Sequence, residues 1–195
     1  MTVGQSLLIK QALVDITRRS ILANVILTSA LFATSEINTV FAAGTLSAQL
    51  KFVALMIVAR DTLGMKRQMF FVGLGGFDVH NELLIDHPPL LSEINDALGA
   101  FYAATEELQV VDKITTFTTF TTSDFGRTLN SNGDGIDYGS GGHHMILGGD
   151  VKVGAFYGKA SELGDEDVGD VGPGRLLPTT AVEQMAGTLV AGSVQ

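Results

Sequence analysis

Asp78 and His80 stand two residues apart at the end of the run Arg67-Gln68-Met69-Phe70-Phe71-Val72-Gly73-Leu74-Gly75-Gly76-Phe77-Asp78-Val79-His80. On an extended backbone, positions i and i+2 point the same way, so a carboxylate and an imidazole here could converge on one cation. A second carboxylate, Asp124, precedes Arg127 in Ser123-Asp124-Phe125-Gly126-Arg127-Thr128, and Arg127 is a candidate contact for an anion. Two adjacent imidazoles, His143 and His144, follow. Neighbouring side chains on an extended segment diverge, so at most one of the two can share a site with Asp78. Oxygen and nitrogen donors without sulfur suit zinc, manganese, magnesium or calcium, and no organic cofactor is expected. Plainer roles compete with ligation. Asp78 can accept backbone hydrogen bonds in a turn, His80 can pack or cap, and Asp124 can pair with Arg127 across a turn.

The elements that must position these groups follow from the hydrophobic pattern. Met69 to Leu74 reads as a strand buried on both faces, and Gly75-Gly76 breaks it into the turn that presents Asp78 and His80. Ligand-binding groups gather just beyond the carboxyl ends of such strands in open α/β sheets. A helix is expected over Ser6 to Ala33, a second over Thr45 to Leu63 ending at Gly64, and a third over Leu90 to Leu108 opened by Pro88-Pro89. Residues Lys113 to Thr122 are β-branched and aromatic, which favours a strand. Strand, helix, strand with acidic exits predicts a βαβ unit with a right-handed crossover. The fold class expected is therefore α/β, a partial α/β/α sandwich with a mostly parallel sheet, preceded by helices.

Between Asn130 and Tyr138 the chain reads as a tight polar turn. It resembles the first half of a calcium loop, but Asn130 stands where the leading Asp belongs and Gly141 where the closing Glu belongs. The acidic stretch Gly164 to Gly174, with Asp165, Glu166, Asp167 and Asp170, reads as a solvated loop. Thr180-Ala181-Val182-Glu183 matches a capping box that opens a last helix, abandoned after Leu189.

Twelve basic residues against 21 acidic ones give a net charge of −9, which repels nucleic acid and anionic surfaces in the absence of a basic patch. With no cysteine there is no disulfide framework, thiolate metal site or cysteine nucleophile. Thr17-Arg18-Arg19-Ser20 before an apolar stretch has the outline of an export signal, yet the arginines come late and Asp15 precedes them. An internal amphipathic helix is the expectation, and the compartment stays open. The apolar stretch of about 13 residues is shorter than the roughly 20 that a membrane span needs.

Taken together in order, Lys66-Arg67-Gln68, Gly75-Gly76-Phe77-Asp78-Val79-His80-Asn81, Ser123 to Leu129, Asn132-Gly133-Asp134-Gly135, His143-His144 and Gly174 to Thr180 resemble the bacterial sulfatase-like domain-of-unknown-function family 1501. The resemblance implies kinship with the alkaline phosphatase and sulfatase superfamily, whose α/β/α domains hold two metal ions over a phosphate or sulfate ester. By that resemblance Asp78 and His80 form one metal pair, Asp124 is a second-site carboxylate, and His143 or His144 is the closing imidazole.

The chain departs from the family pattern in two places. Val79 stands where members carry Thr, and Tyr138 stands where members carry a His. The resemblance also implies that residues 45–195 correspond to the carboxy-terminal half of the domain, after a helical segment over 1–44. The expected partners are then a second copy or a complementing amino-terminal half, with a small anionic ester as substrate and an exported or periplasmic location. Two functions follow as expectations: a divalent-metal hydrolase of phosphate or sulfate esters, or a catalytically inactive half-domain that serves as a structural or binding module.

Overall fold

The computed structural model describes residues 3–32, 36–112, 117–149, 151–152, 154–160, 171–172 and 174–193. In chain order its elements are helices α1 (Val3–Phe32), α2 (Thr45–Val58) and α3 (Leu83–Asp112), strands β1 (Thr118–Phe120), β2 (Gly126–Ser131), β3 (Ile136–Gly139) and β4 (Ile146–Gly148), and helix α4 (Val182–Ser193). The expected parallel sheet is not formed. Among the described residues the strands make two antiparallel pairs, β1 with β4 and β2 with β3.

The physical reason lies in pairing. An apolar extended run becomes a strand only when a neighbour takes its backbone groups, and among the described residues Met69 to Leu74 pairs with no other strand. Met69 and Phe71 are 87% and 89% exposed, where a doubly covered strand would bury both. At Gly73 a side chain stands in for a neighbouring strand. The Gln49 amide donates to the Gly73 carbonyl at 2.8 Å and accepts from the Gly73 N–H at 3.0 Å. The βαβ crossover is absent for the same reason, because among the described residues β1 has no parallel partner before α3. It pairs instead with β4, which returns beyond the β2–β3 hairpin, with Thr119 opposite Leu147. Short antiparallel connections close smaller loops than a crossover does, so they form at lower entropic cost.

The chain divides into two compact units, Met1–Leu74 with Glu93–Ile114, and Gly75–Ser92 with Thr115–Gln195. The first holds most of the apolar core. On α2, Leu46, Leu50, Val53 and Ala54 are buried at helical spacing, and on α3, Ala97, Leu98, Phe101, Ala104 and Leu108 are. Two glutamates of α3 tie this unit together. Glu93 accepts the Leu46 N–H at 2.9 Å, supplying the α2 entrance with the cap that Gly44 lacks. Glu107 accepts from the backbone and side chain of both Asn38 and Thr39, at 2.8 to 3.0 Å. Those four donors pull its carboxyl down to about 2, the Asn38 backbone N–H being the largest cause.

α1 differs from the amphipathic helix expected. Its apolar side chains lie all round the cylinder, and Leu8, Leu13 and Ile21 are mostly exposed. α3 begins earlier than expected, with Pro88 and Pro89 inside it. These prolines deprive the carbonyls of Leu84 and Ile85 of their helical partners, and both residues sit at an exposed entrance where water can serve. α4 also departs from expectation at both ends. Its capping contact is the Gln184 side chain accepting the Ala181 N–H at 2.9 Å, one residue along from the Thr180 box, and the helix continues past Leu189 to Ser193. Most of the expected acidic loop, like residues Lys113 to Thr116 of the expected strand, lies outside the described residues.

Candidate functional site

The second unit brings the Asp78–His80 turn against the β2–β3 hairpin. The hairpin closes at Asn132-Gly133-Asp134-Gly135, inside the polar turn expected over Asn130 to Tyr138, whose two ends are instead paired in β2 and β3. The Asn132 side-chain oxygen accepts from the backbone N–H groups of Asp134 and Gly135, and Gly133 takes a φ of +113° that suits glycine. Register sets Arg127 opposite Tyr138, so the two side chains share a face, and a bulge follows between Arg127 and Ser131. Thr128, in that bulge, is buried, and its hydroxyl accepts the Asp137 N–H at 3.2 Å.

Onto this platform the turn is fastened by backbone and side chain alike. Arg127 Nη2 donates to the Phe77 carbonyl at 2.8 Å and to Asp78 Oδ1 at 3.1 Å, while Nη1 donates to the Ile136 carbonyl at 3.0 Å. Its guanidinium carbon lies 4.8 Å from the Phe125 ring centre and 5.0 Å from that of Tyr138. Asn132 Nδ2 donates to the His80 carbonyl at 3.1 Å. Gly135 passes so close that a Cβ there would lie 2.3 Å from the His80 carbonyl oxygen. Leu83 N–H reaches the Asp134 carbonyl at 3.2 Å, joining the start of α3 to the same turn.

Asp78 is the centre of the polar cluster. The Tyr138 hydroxyl donates to its Oδ1 at 2.6 Å, and His80 Nε2 lies 3.2 Å from the same oxygen. With Arg127, two donors and the nearby imidazole meet on Oδ1, whereas Oδ2 has no partner among the described residues. The Tyr138 bond above all, followed by the charges of His80 and Arg127, holds the Asp78 carboxyl below its usual value against the opposing effect of partial burial. The same bond pushes the Tyr138 phenol above its usual value. The other imidazole nitrogen, His80 Nδ1, lies 3.6 Å from Asp137 Oδ1, so the ring is bracketed by two carboxylates.

Of the residues singled out from sequence, the fold brings together Asp78, His80 and Arg127. Arg127 pairs with Asp78 across the chain and not with Asp124, its near neighbour in sequence. Asp124 is exposed and acts on the cluster only through its charge, which adds to the upward push on Tyr138. His143 and His144 are exposed in the segment before β4, without a described contact to the cluster.

Tyr138, Asp137 and Asn132 complete the site, and sequence reasoning assigned none of them a role in it. The signal that could have found Tyr138 was its place where members of the resembled family carry a His. Among the described residues no group of three or more His, Asp or Glu side chains gathers around a common point. The donors present fit a metal poorly. A guanidinium and a phenolic hydroxyl already share Asp78 Oδ1, and the two nitrogens of His80 face different carboxylates instead of a common ion.

The chain matches no curated protein and no solved structure. A family model described as a protein of unknown function (DUF1501) matches residues 27–187, a span that takes in most of both units and every residue of the cluster, and the chain belongs to that family.

Proposed function

We propose that this chain is a non-catalytic member of its family, a structural or binding module in which would-be metal ligands serve as a clamp between a loop and a hairpin. One observation carries the reading. Asp78 Oδ1 accepts hydrogen bonds from the Tyr138 hydroxyl and Arg127, with His80 Nε2 3.2 Å away, so protein groups occupy the approach a cation would need. Arg127, the expected anion contact, is 14% exposed at its side chain and directs both terminal nitrogens to Phe77, Asp78 and Ile136. It is committed to the fold and poorly placed to hold an ester oxygen.

A second reading, the metal-dependent hydrolase of phosphate or sulfate esters implied by kinship with sulfatases, draws support from one feature. Asp78 Oδ2 is open, and His80 Nε2 lies 3.2 Å from the other oxygen of that carboxylate. In that reading Asp78, His80, Asp124 and His143 or His144 would hold the ions, which would stabilise the charge that develops on the ester oxygens.

Calorimetric titration of the chelator-washed chain with zinc, manganese, magnesium and calcium separates the two, with Asp78→Ala as control and aryl phosphate and aryl sulfate turnover measured in parallel. The module reading expects no stoichiometric binding that depends on Asp78, and no turnover. Stoichiometric binding that disappears in Asp78→Ala would overturn it in favour of the hydrolase.

A further inference from the structure

α1 leaves much of its apolar surface uncovered, with Leu8, Leu22 and Ile26 at 72%, 58% and 50% exposure, and among its described side chains only Ala30 is buried. Along one line of this helix, residues 8, 12, 15, 19, 22 and 26 recur at alternating steps of four and three. That is the 3.5-residue repeat that keeps a seam turned toward a partner helix. The seam reads Leu8, Ala12, Asp15, Arg19, Leu22, Ile26: apolar at both ends, with one acid and one base at its centre.

We propose that this seam is the contact between two copies of the chain, α1 packing antiparallel on α1 about a two-fold axis near Thr17. In that register Leu8 meets Ile26 of the second copy, Ala12 meets Leu22, and Asp15 meets Arg19. The symmetry repeats each pair in reverse, as an isologous contact requires. Charge selects this arrangement. A parallel, in-register pair would set Asp15 on Asp15 and Arg19 on Arg19, whereas the antiparallel pair satisfies both.

The cluster is prepared within one copy. Gln11 Nε2 donates to Asp15 Oδ1 at 3.3 Å, and Arg19 Nε donates to the Asp15 carbonyl at 3.3 Å, which lays Arg19 along the seam. Among the described residues no carboxylate pairs with Arg19. A lipid surface is a poorer occupant. A helix lying on lipid keeps its charges on the face opposite its apolar one, and here they stand in the middle of the seam.

Sedimentation velocity on the full chain over a range of concentrations tests the proposal. A monomer–dimer equilibrium is expected. Asp15→Arg and Arg19→Asp should each weaken it at least about tenfold by placing like charges across the seam. Mixing the two variants should restore a heterodimer, and the chain carrying both changes should dimerise again, which no folding defect would allow. A monomer at every concentration overturns the proposal, as does a dimer indifferent to both single reversals. A monomer that floats with phosphatidylcholine–phosphatidylserine vesicles overturns it in favour of lipid.

Discussion

At the residue scale, the cluster depends on one short hydrogen bond, from Tyr138 to Asp78. Tyr138→Phe removes the largest cause of the lowered Asp78 carboxyl, so the Asp78 titration should move up toward its ordinary range, as carboxyl NMR would record. The pH signs follow from the two shifts. Asp78 is lowered on folding, so its contribution is present above the ordinary aspartate range and is lost as pH falls through the folded value. Tyr138 is raised, so its contribution holds below pH 10 and is lost as pH climbs through its folded value. The protection factors of the amides of Phe77 to Asn81, exchange rates divided into their intrinsic values at each pH, should therefore be highest between those limits and fall at both extremes. Constant protection across that range would refute the clamp. A complementary test is steric. Gly135→Ala sets a methyl against the His80 backbone carbonyl, which cannot turn aside as a side chain could, and should cost about 1–3 kcal/mol of stability in urea unfolding.

At the element scale, α3 joins its unit through glutamates set along its length. Glu107 is pulled from 4.5 to about 2 by its bonds to Asn38 and Thr39, so the stability it adds is complete above pH 4.5 and disappears as pH falls toward 2. Glu107→Gln should flatten the acid limb of the thermal midpoint over that window, and an unchanged limb would show that the contact adds nothing in solution. Glu93→Ala should cost about 1 kcal/mol through loss of the α2 cap, read as a shift in the urea midpoint at constant slope. The helices were the legible elements. Apolar residues at helical spacing mark them whatever they pack against, although α2 ends at Val58 and not at the Leu63 expected before Gly64. Their boundaries were less so, since Pro88-Pro89 reads as a helix start and in fact lies inside α3.

At the scale of the whole chain, stability is expected to be uneven. The first unit buries helical faces rich in Leu, Val and Ala, while the described strands of the second form only two-stranded pairs, which are marginal on their own. Hydrogen exchange should therefore release the amides of β1 to β4 before those of α2 and of residues 97–108 in α3. Simultaneous release would mean that the two units unfold as one.

The sequence by itself determined the helices, the polar hairpin turn, the acidic balance and the meeting of Asp78 with His80, because each of these rests on spacing within a few residues or on composition alone. Tertiary structure decided the rest. Whether Met69 to Leu74 becomes a strand depends on a neighbour to take its backbone groups, and hydrophobicity cannot report that neighbour. The partners of Arg127 likewise lie about fifty residues away in Phe77 and Asp78, instead of three away in Asp124. Only the hairpin register sets Tyr138 beside that guanidinium and its hydroxyl on the Asp78 oxygen. Local spacing can name the groups at a site, but which of them meet depends on how distant segments pack.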